Sequence, residues 1–299
     1  IVHDTPGAIL ANQHFNQVNP EAHYAYLRCS FHWTKFTPTD FDIAEKYFDL
    51  ALEKDPSYAL AYAGCAWVWV ARNQFGVVSP GEAGPKAKAA ARRAIELDED
   101  LAAAHELLAT IRAWTDWDWE GAWESFRRAI ELNPNAATAH AIFSHFLMIM
   151  GHGEEALEHS QRAVVLDPFN PLILGFRAIV LYSRRRYDDA IAAAREALRF
   201  QADFPIATCV LWLAMHEVER MEKESFEFAK SYARVVYDDT RIDTALDEGY
   251  ARGGYAEAMK RAAEALIARL LEVFCKPSDI AFFYAVAGEK DKALEWLEK

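Results

Sequence analysis

Apolar and polar residues alternate along most of this chain with a helical period, in paired blocks separated by short breaks. The stretch from 137 to 170 shows the unit most plainly: ATAHAIFSHFLMIMGHGEEALEHSQRAVVLDPFN. It holds two amphipathic helical patterns joined by Gly151-His152-Gly153. Ala156 and Ala163 stand seven apart, on nearly one helical face. Asp167-Pro168 ends the second pattern, because proline has no amide to donate and disfavours helix in the residue before it. The fold class this predicts is all-α.

A 34-residue helix pair with small residues at these places is the signature of the tetratricopeptide repeat, and the same signature recurs up and down the chain. Repeat one spans about 21–58, with Pro38 in its turn, a capping pair at Thr39 and Asp42, and packing residues Ala44, Phe48 and Ala51. Repeat two, 59–101, carries an insertion from Asn73 to Pro85 whose glycines and prolines cannot continue either helix, so it is expected to project as a loop from the turn edge of the array. Repeat three, 102–136, has one extra residue in its turn near Thr115–Asp118. Repeats four and five, 137–170 and 171–204, are regular. Repeat six, about 205–239, is degenerate. Repeat seven turns at Gly253-Gly254, and its second helix is expected to run on to Phe274, since no breaker intervenes before Pro277. A closing pair follows over 278–287 and 291–299. Residues 1–20 fall outside the pattern and read as a lead-in from a preceding domain. Residues 21–299 read as one array of about seven repeats plus the closing pair. One pair cannot bury its apolar face alone, whereas stacked pairs can, and the stack curls into a right-handed superhelical solenoid.

Composition narrows the partners. The net charge of −13 argues against nucleic acid, which needs a basic footprint, and fits solvated acidic helix faces. The longest uncharged run, 58–71, falls short of the roughly 20 residues of a membrane span. The chain starts at Ile1 without a signal peptide and reads as part of something longer. Cys29, Cys65, Cys209 and Cys275 lie far apart with no CxxC, so free thiols in a reducing, cytoplasmic setting are expected. A membrane span upstream of Ile1 would make the setting periplasmic.

Three stretches carry a further resemblance: Tyr58–Gly64, Asp116–Ala122 and Gly288–Glu298, together with the Pro80–Lys88 segment. They resemble the C-terminal tetratricopeptide region of bacterial multidomain regulators. In that family this region follows a winged-helix, nucleotide cyclase or protein kinase effector, often with a TolB-like segment between. The resemblance implies an interaction or sensory module.

No catalytic constellation stands out. Gly81–Gly84 lacks the Lys-Ser/Thr of a phosphate loop. His140 and His145 are five apart and face different sides. His152 and His159, seven apart, share a face but lack a third ligand, so no metal and no cofactor are expected. Arg184-Arg185-Arg186 reads as dipole compensation at a helix end.

In this repeat the second, fifth, ninth and twelfth positions of the first helix line the inner face. They are Tyr26, Ser30 and Trp33, then Leu60, Ala63, Trp67 and Val70. Glu106, Thr110 and Ala113 follow, with Trp114 adjacent, then Ala141, His145 and Met148. Leu172, Gly175, Ile179 and Tyr182 come next, then Leu211 and Met215 with Trp212. The row is apolar and aromatic. Tyr26, Trp33, Trp67, Trp114, His145, Met148, Ile179, Tyr182, Trp212 and Met215 are its expected anchors. Two readings stay open: a binding surface for a protein or peptide segment, or burial in the core. A small apolar ligand is the alternative occupant, and an enzyme the remote one.

Overall fold

The computed structural model describes residues 18–218 and 221–299. The expected short helix near Thr5-Pro6 lies outside them. Among the described residues there are fifteen α-helices and no strand. They are α1 (Pro20–Trp33), α2 (Pro38–Lys54), α3 (Ala59–Gln74), α4 (Pro80–Leu97) and α5 (Ala102–Ile111), the last extended by a π-helical turn over Arg112–Asp116. Next come α6 (Trp119–Leu132), α7 (Ala137–Ile149), α8 (Gly153–Leu166), α9 (Pro171–Ser183) and α10 (Tyr187–Phe200). The last five are α11 (Pro205–Glu217), α12 (Glu222–Tyr237), α13 (Thr240–Arg269), α14 (Pro277–Val286) and α15 (Lys290–Leu297).

Local chemistry sets these boundaries. Pro20, Pro38, Pro171, Pro205 and Pro277 open helices, where the missing amide costs nothing. Asn19, Asn170 and Asp239 cap with their side chains. The cap of α2 is Thr37 rather than Thr39: Thr37 Oγ1 accepts from the Asp40 amide at 3.1 Å and donates to the Asp40 carboxylate at 2.7 Å. Pro38 leaves the amide of the third helical residue free to be capped two positions earlier than expected.

The inter-helix turns share a positive φ. Phe36, Trp117, Gly151, Arg185, Gly254 and Gly288 all have positive φ, from 57° to 85°. Residues 117, 151 and 185 are spaced by one repeat, as are 254 and 288. After the turns at 151, 185 and 288 the next amide bonds back five residues, as in His152 to the Leu147 carbonyl at 2.8 Å. In repeat three Asp118 bonds back six, to Arg112, at 2.9 Å. The extra residue read from the sequence is thus absorbed as the π-helical turn. Gly254 breaks α13 internally, with φ 75° and ψ −158°, where the turn of repeat seven was expected.

Two expectations are corrected. The insertion of repeat two is largely helical: α3 runs to Gln74, and α4 begins at Pro80 and contains Pro85 in its second turn. The short link between them does not project free. Lys276 Nζ donates to the Gln74 carbonyl at 2.7 Å, and the Lys276 side chain lies over Gly76. The second correction concerns α13, which ends at Arg269 rather than running to Phe274. There Arg241 clamps Asp239 and Glu272, tying the following turn back to the start of the helix.

The helices form two compact units. Of the described residues, one takes 18–71 with 83–132, the other 72–82 with 133–218 and 221–299. In the first, small residues Ala63, Ala66, Ala87, Ala91, Ala94 and Ala104 bring α3, α4 and α5 together around Leu107 and Ile111. In the second, α8 packs on α9 and α10 on α11, while the first helices α7, α9 and α11 also pack in series. A separate core joins Trp212, Phe226, Met259, Leu266 and Phe283. All four cysteines are free. Burial pushes the Cys65 and Cys209 thiols up to about 12, and raises those of Cys29 and Cys275. No helix among the described residues is long and apolar enough to cross a membrane.

Candidate functional site

The inner positions divide by exposure. In the first unit Tyr26, Ser30 and Trp33 of α1, with Leu60 and Trp67 of α3, are half-buried, whereas Ala63 and Val70 are sealed. The rings of Trp33 and Trp67 stack 5.8 Å apart at 15°. Tyr26 tilts against Tyr58 at 5.5 Å. Burial raises its phenol pKa, and the negative charge of Glu106 adds to the effect. Glu106 and Thr110 of α5, and Ala113 of the π-helical turn, are buried. Trp114, half-buried in the π-helical turn, meets Phe126 of its own pair edge-on at 6.3 Å.

In the second unit His145 and Met148 of α7, and Ile179 and Tyr182 of α9, are half-buried. Ala141, Leu172 and Gly175 are sealed. Gly175 is required for that packing: a Cβ there would come within 2.9 Å of both Phe204 and Ile206. His145 lies 5.3 Å from the Phe176 ring. Burial lowers its pKa to about 4, which leaves the imidazole neutral near pH 7. Tyr182 is pushed up to about 12 by burial and by nearby Glu217. The strip is therefore uncharged near pH 7 although part of its surface remains open.

Trp212 and Met215 do not join it. Both are wholly buried. The reason is register: counted from Pro205, they are the eighth and eleventh residues of their repeat, positions that face the core. Trp212 Nε1 donates to the Tyr255 hydroxyl at 2.7 Å, and Ser225 Oγ donates to the Trp212 carbonyl at 2.9 Å. The remaining contact, 2.8 Å between the two hydroxyls, closes the ring with Tyr255 donating to Ser225. The inner positions of α11 are instead Ile206, Cys209, Leu213 and His216, of which the first three are half-buried and His216 is exposed. The 34-residue count from Pro171 to Pro205 was the signal that finds them.

The histidines confirm that spacing decides company. His140 and His145, five apart, point to different partners. His140 meets His159 Nδ1 to Nδ1 at 2.8 Å, and its Nε2 donates to the Pro134 carbonyl at 3.1 Å. His159 thus pairs with His140, and His152 lies 3.9 Å from Glu155. No group of three metal-ligating side chains occurs among the described residues. The arginines at 184 and 186 pair with Glu154 and Asp189 at 2.8 and 2.7 Å.

No protein-family model matches the chain, and no curated protein matches it. Solved structures do. The human IFIT1 dimer with PPP-AAAA aligns over 87% of this chain and 68% of its own, at 18% identity and a TM-score of 0.62. The type IV pilus biogenesis factor PilW aligns over 72% and 94%, at 19% identity and a TM-score of 0.53. PilF of Pseudomonas aeruginosa aligns over 82% and 99%, at 18% identity and a TM-score of 0.50. At such identities the likeness speaks to architecture alone, and with the helix pairs and their repeated turn it establishes the fold as an all-α tetratricopeptide-repeat solenoid.

Proposed function

We propose that this chain is a non-catalytic interaction module that holds an apolar peptide or helix against the inner positions of its first helices. The observation that carries the reading is the strip of His145, Met148, Ile179 and Tyr182. It stays partly open while neighbouring positions on α7 and α9 are sealed. Aromatic and methionine side chains give large contact area at small entropic cost. The stacked Trp33 and Trp67 offer a second such surface in the first unit. The net charge of −13 supports a protein partner over nucleic acid. The resemblance to the C-terminal region of bacterial regulators supports a sensory or scaffolding role beside a cytoplasmic effector.

The test uses peptides selected from a random display library against the folded chain. Met148→Ala and Trp67→Ala are each measured for unfolding midpoint and for affinity by calorimetry. Selection of apolar or aromatic peptides, with a loss of about 2 kcal/mol or more in one variant and unchanged stability, supports the reading. A stability loss of a few kcal/mol with unchanged affinity assigns the residues to the core. Recovery of small apolar compounds but no peptide from parallel screens turns the module into a ligand sensor.

A further inference from the structure

Hydroxyl groups on the first helices of the second unit turn back on their own backbone. Ser144 Oγ of α7 donates to the Ala141 carbonyl at 2.6 Å, Ser183 Oγ of α9 to the Val180 carbonyl at 2.7 Å, and Thr208 Oγ1 of α11 to the Phe204 carbonyl at 2.9 Å. The Tyr182 hydroxyl does not. Tyr182 takes the last inner position of α9, and its ring tilts against Tyr187 at 5.7 Å and 50°. Its oxygen bonds to no described residue. Nor is that oxygen sealed: the side chain is half-buried, and the hydroxyl reaches the surface.

The hydroxyl is held as a donor. Burial first, then the charge of Glu217, push its pKa up to about 12, so it keeps its proton near neutral pH. In the free chain water satisfies it. A partner that covers the strip removes that water, and a donor left without an acceptor then costs about one to two decades in affinity. This requirement sorts the occupants. A hydrocarbon ligand has no acceptor to offer. A helix has committed its carbonyls to its own amides and leaves them free only in its last turn. An extended segment carries an unused carbonyl at each residue, and its side chains alternate so that every second one can reach the apolar neighbours.

Resting on the reading of the strip as a docking surface, we propose that its occupant is an extended segment of a partner protein, and that the Tyr182 hydroxyl donates to one of that segment's backbone carbonyls. Met148 and Ile179 supply apolar contact that tolerates many side chains, whereas a single directional donor fixes where along the strip the segment sits. Tyr182 is thus the residue that selects an extended backbone over a helix on a surface that is otherwise shared by both.

The probe is the tightest linear peptide selected from a random display library against the folded chain, titrated by calorimetry into wild type and Tyr182→Phe. The variant keeps the ring and loses only the donor. Its affinity should fall about tenfold while its melting temperature stays within about 1 °C of wild type, because the hydroxyl bonds nothing in its own chain. The peptide is then remade with each backbone amide replaced in turn by an ester, whose carbonyl is the weaker acceptor. One such ester should weaken binding to wild type several-fold and leave binding to Tyr182→Phe unchanged, the non-additivity expected of two groups that touch. Equal affinity of wild type and Tyr182→Phe, with Met148→Ala still weakened, overturns this inference and leaves the docking surface standing. A lower melting temperature of Tyr182→Phe at unchanged affinity also overturns it, by giving the hydroxyl to the fold. So do esters that weaken both proteins alike, and a peptide that binds more tightly once helix-favouring α-aminoisobutyrate residues are introduced. A library that yields no peptide overturns the docking surface itself and this inference with it.

Discussion

Burial sets the direction in which the histidines of the second unit titrate. His159 is held at about 4 by desolvation, with His140 adding; His140 is lowered by the same first cause, and His145 lies at about 4. Because His140 Nε2–H is committed to the Pro134 carbonyl, its Nδ1 accepts from His159 Nδ1–H, and the pair is neutral. In the unfolded chain these imidazoles protonate near pH 6.5, before the folded ones can. Stability is therefore complete above about pH 6.5 and declines as pH falls toward 4. Urea midpoints measured across that window should fall, and His159→Gln should remove part of the slope, on the order of 1–2 kcal/mol. Below pH 4 the loss passes to Asp55, lowered by its hydrogen bonds from Ser57, and Asp239, lowered by those from Arg241. The ring of Trp212, Tyr255 and Ser225 makes a second prediction. Tyr255→Phe leaves the buried indole N–H without its acceptor, so denaturation should show a loss of about 1–3 kcal/mol. None of these pairings was legible in the sequence. Trp212 and Tyr255 are 43 residues apart, and nothing in their local pattern distinguishes a tryptophan that bonds in the core from one that faces a partner.

At the scale of the element the sequence was far more informative, because alanine register and proline stops are local signals. The turn position of each repeat was visible wherever glycine occupied it, as at Gly151, and hidden where Phe36, Trp117 or Arg185 adopts the same left-handed state. A side chain there costs about 1 kcal/mol relative to glycine. Arg185 is exposed, so Arg185→Gly should stabilise by about 0.5–1 kcal/mol. Phe36 is buried and packs edge-on against Phe41 and Trp33, so Phe36→Gly should destabilise by about 3 kcal/mol or more despite the identical backbone. Thermal melts of the two variants should thus move in opposite directions. The segment between α3 and α4 is hidden for a different reason: Pro80 and Pro85 read as breakers, yet Pro80 opens α4, where proline is tolerated, Pro85 sits inside its second turn, and the anchor that holds the link lies 202 residues away at Lys276. Lys276→Met keeps most of the side-chain packing but removes the donor, and should lower stability by about 1 kcal/mol in urea titrations.

For the whole molecule, the repeat count fixed the all-α class, whereas the division into two units depends on contacts between distant residues that no periodicity encodes. The same limit applies to the inner strip. Counting positions puts His145, Met148, Ile179 and Tyr182 on α7 and α9, where they are half-buried, and miscounting repeat six puts the wholly buried Trp212 and Met215 in the same row. Because the strip is uncharged, affinity for a selected peptide should change less than about threefold between 50 and 500 mM salt in calorimetric titrations. A steeper dependence would move the contact to the acidic outer surfaces. The unpaired cysteines have a use that follows from their distribution. Cys65 and Cys209 are half-buried, but Cys29 in one unit and Cys275 in the other are sealed, and burial raises both thiols. Alkylation then has to wait for the surrounding helices to open. Timed labelling followed by peptide mass mapping turns these two sulfurs into clocks, one in each unit, with no engineered probe.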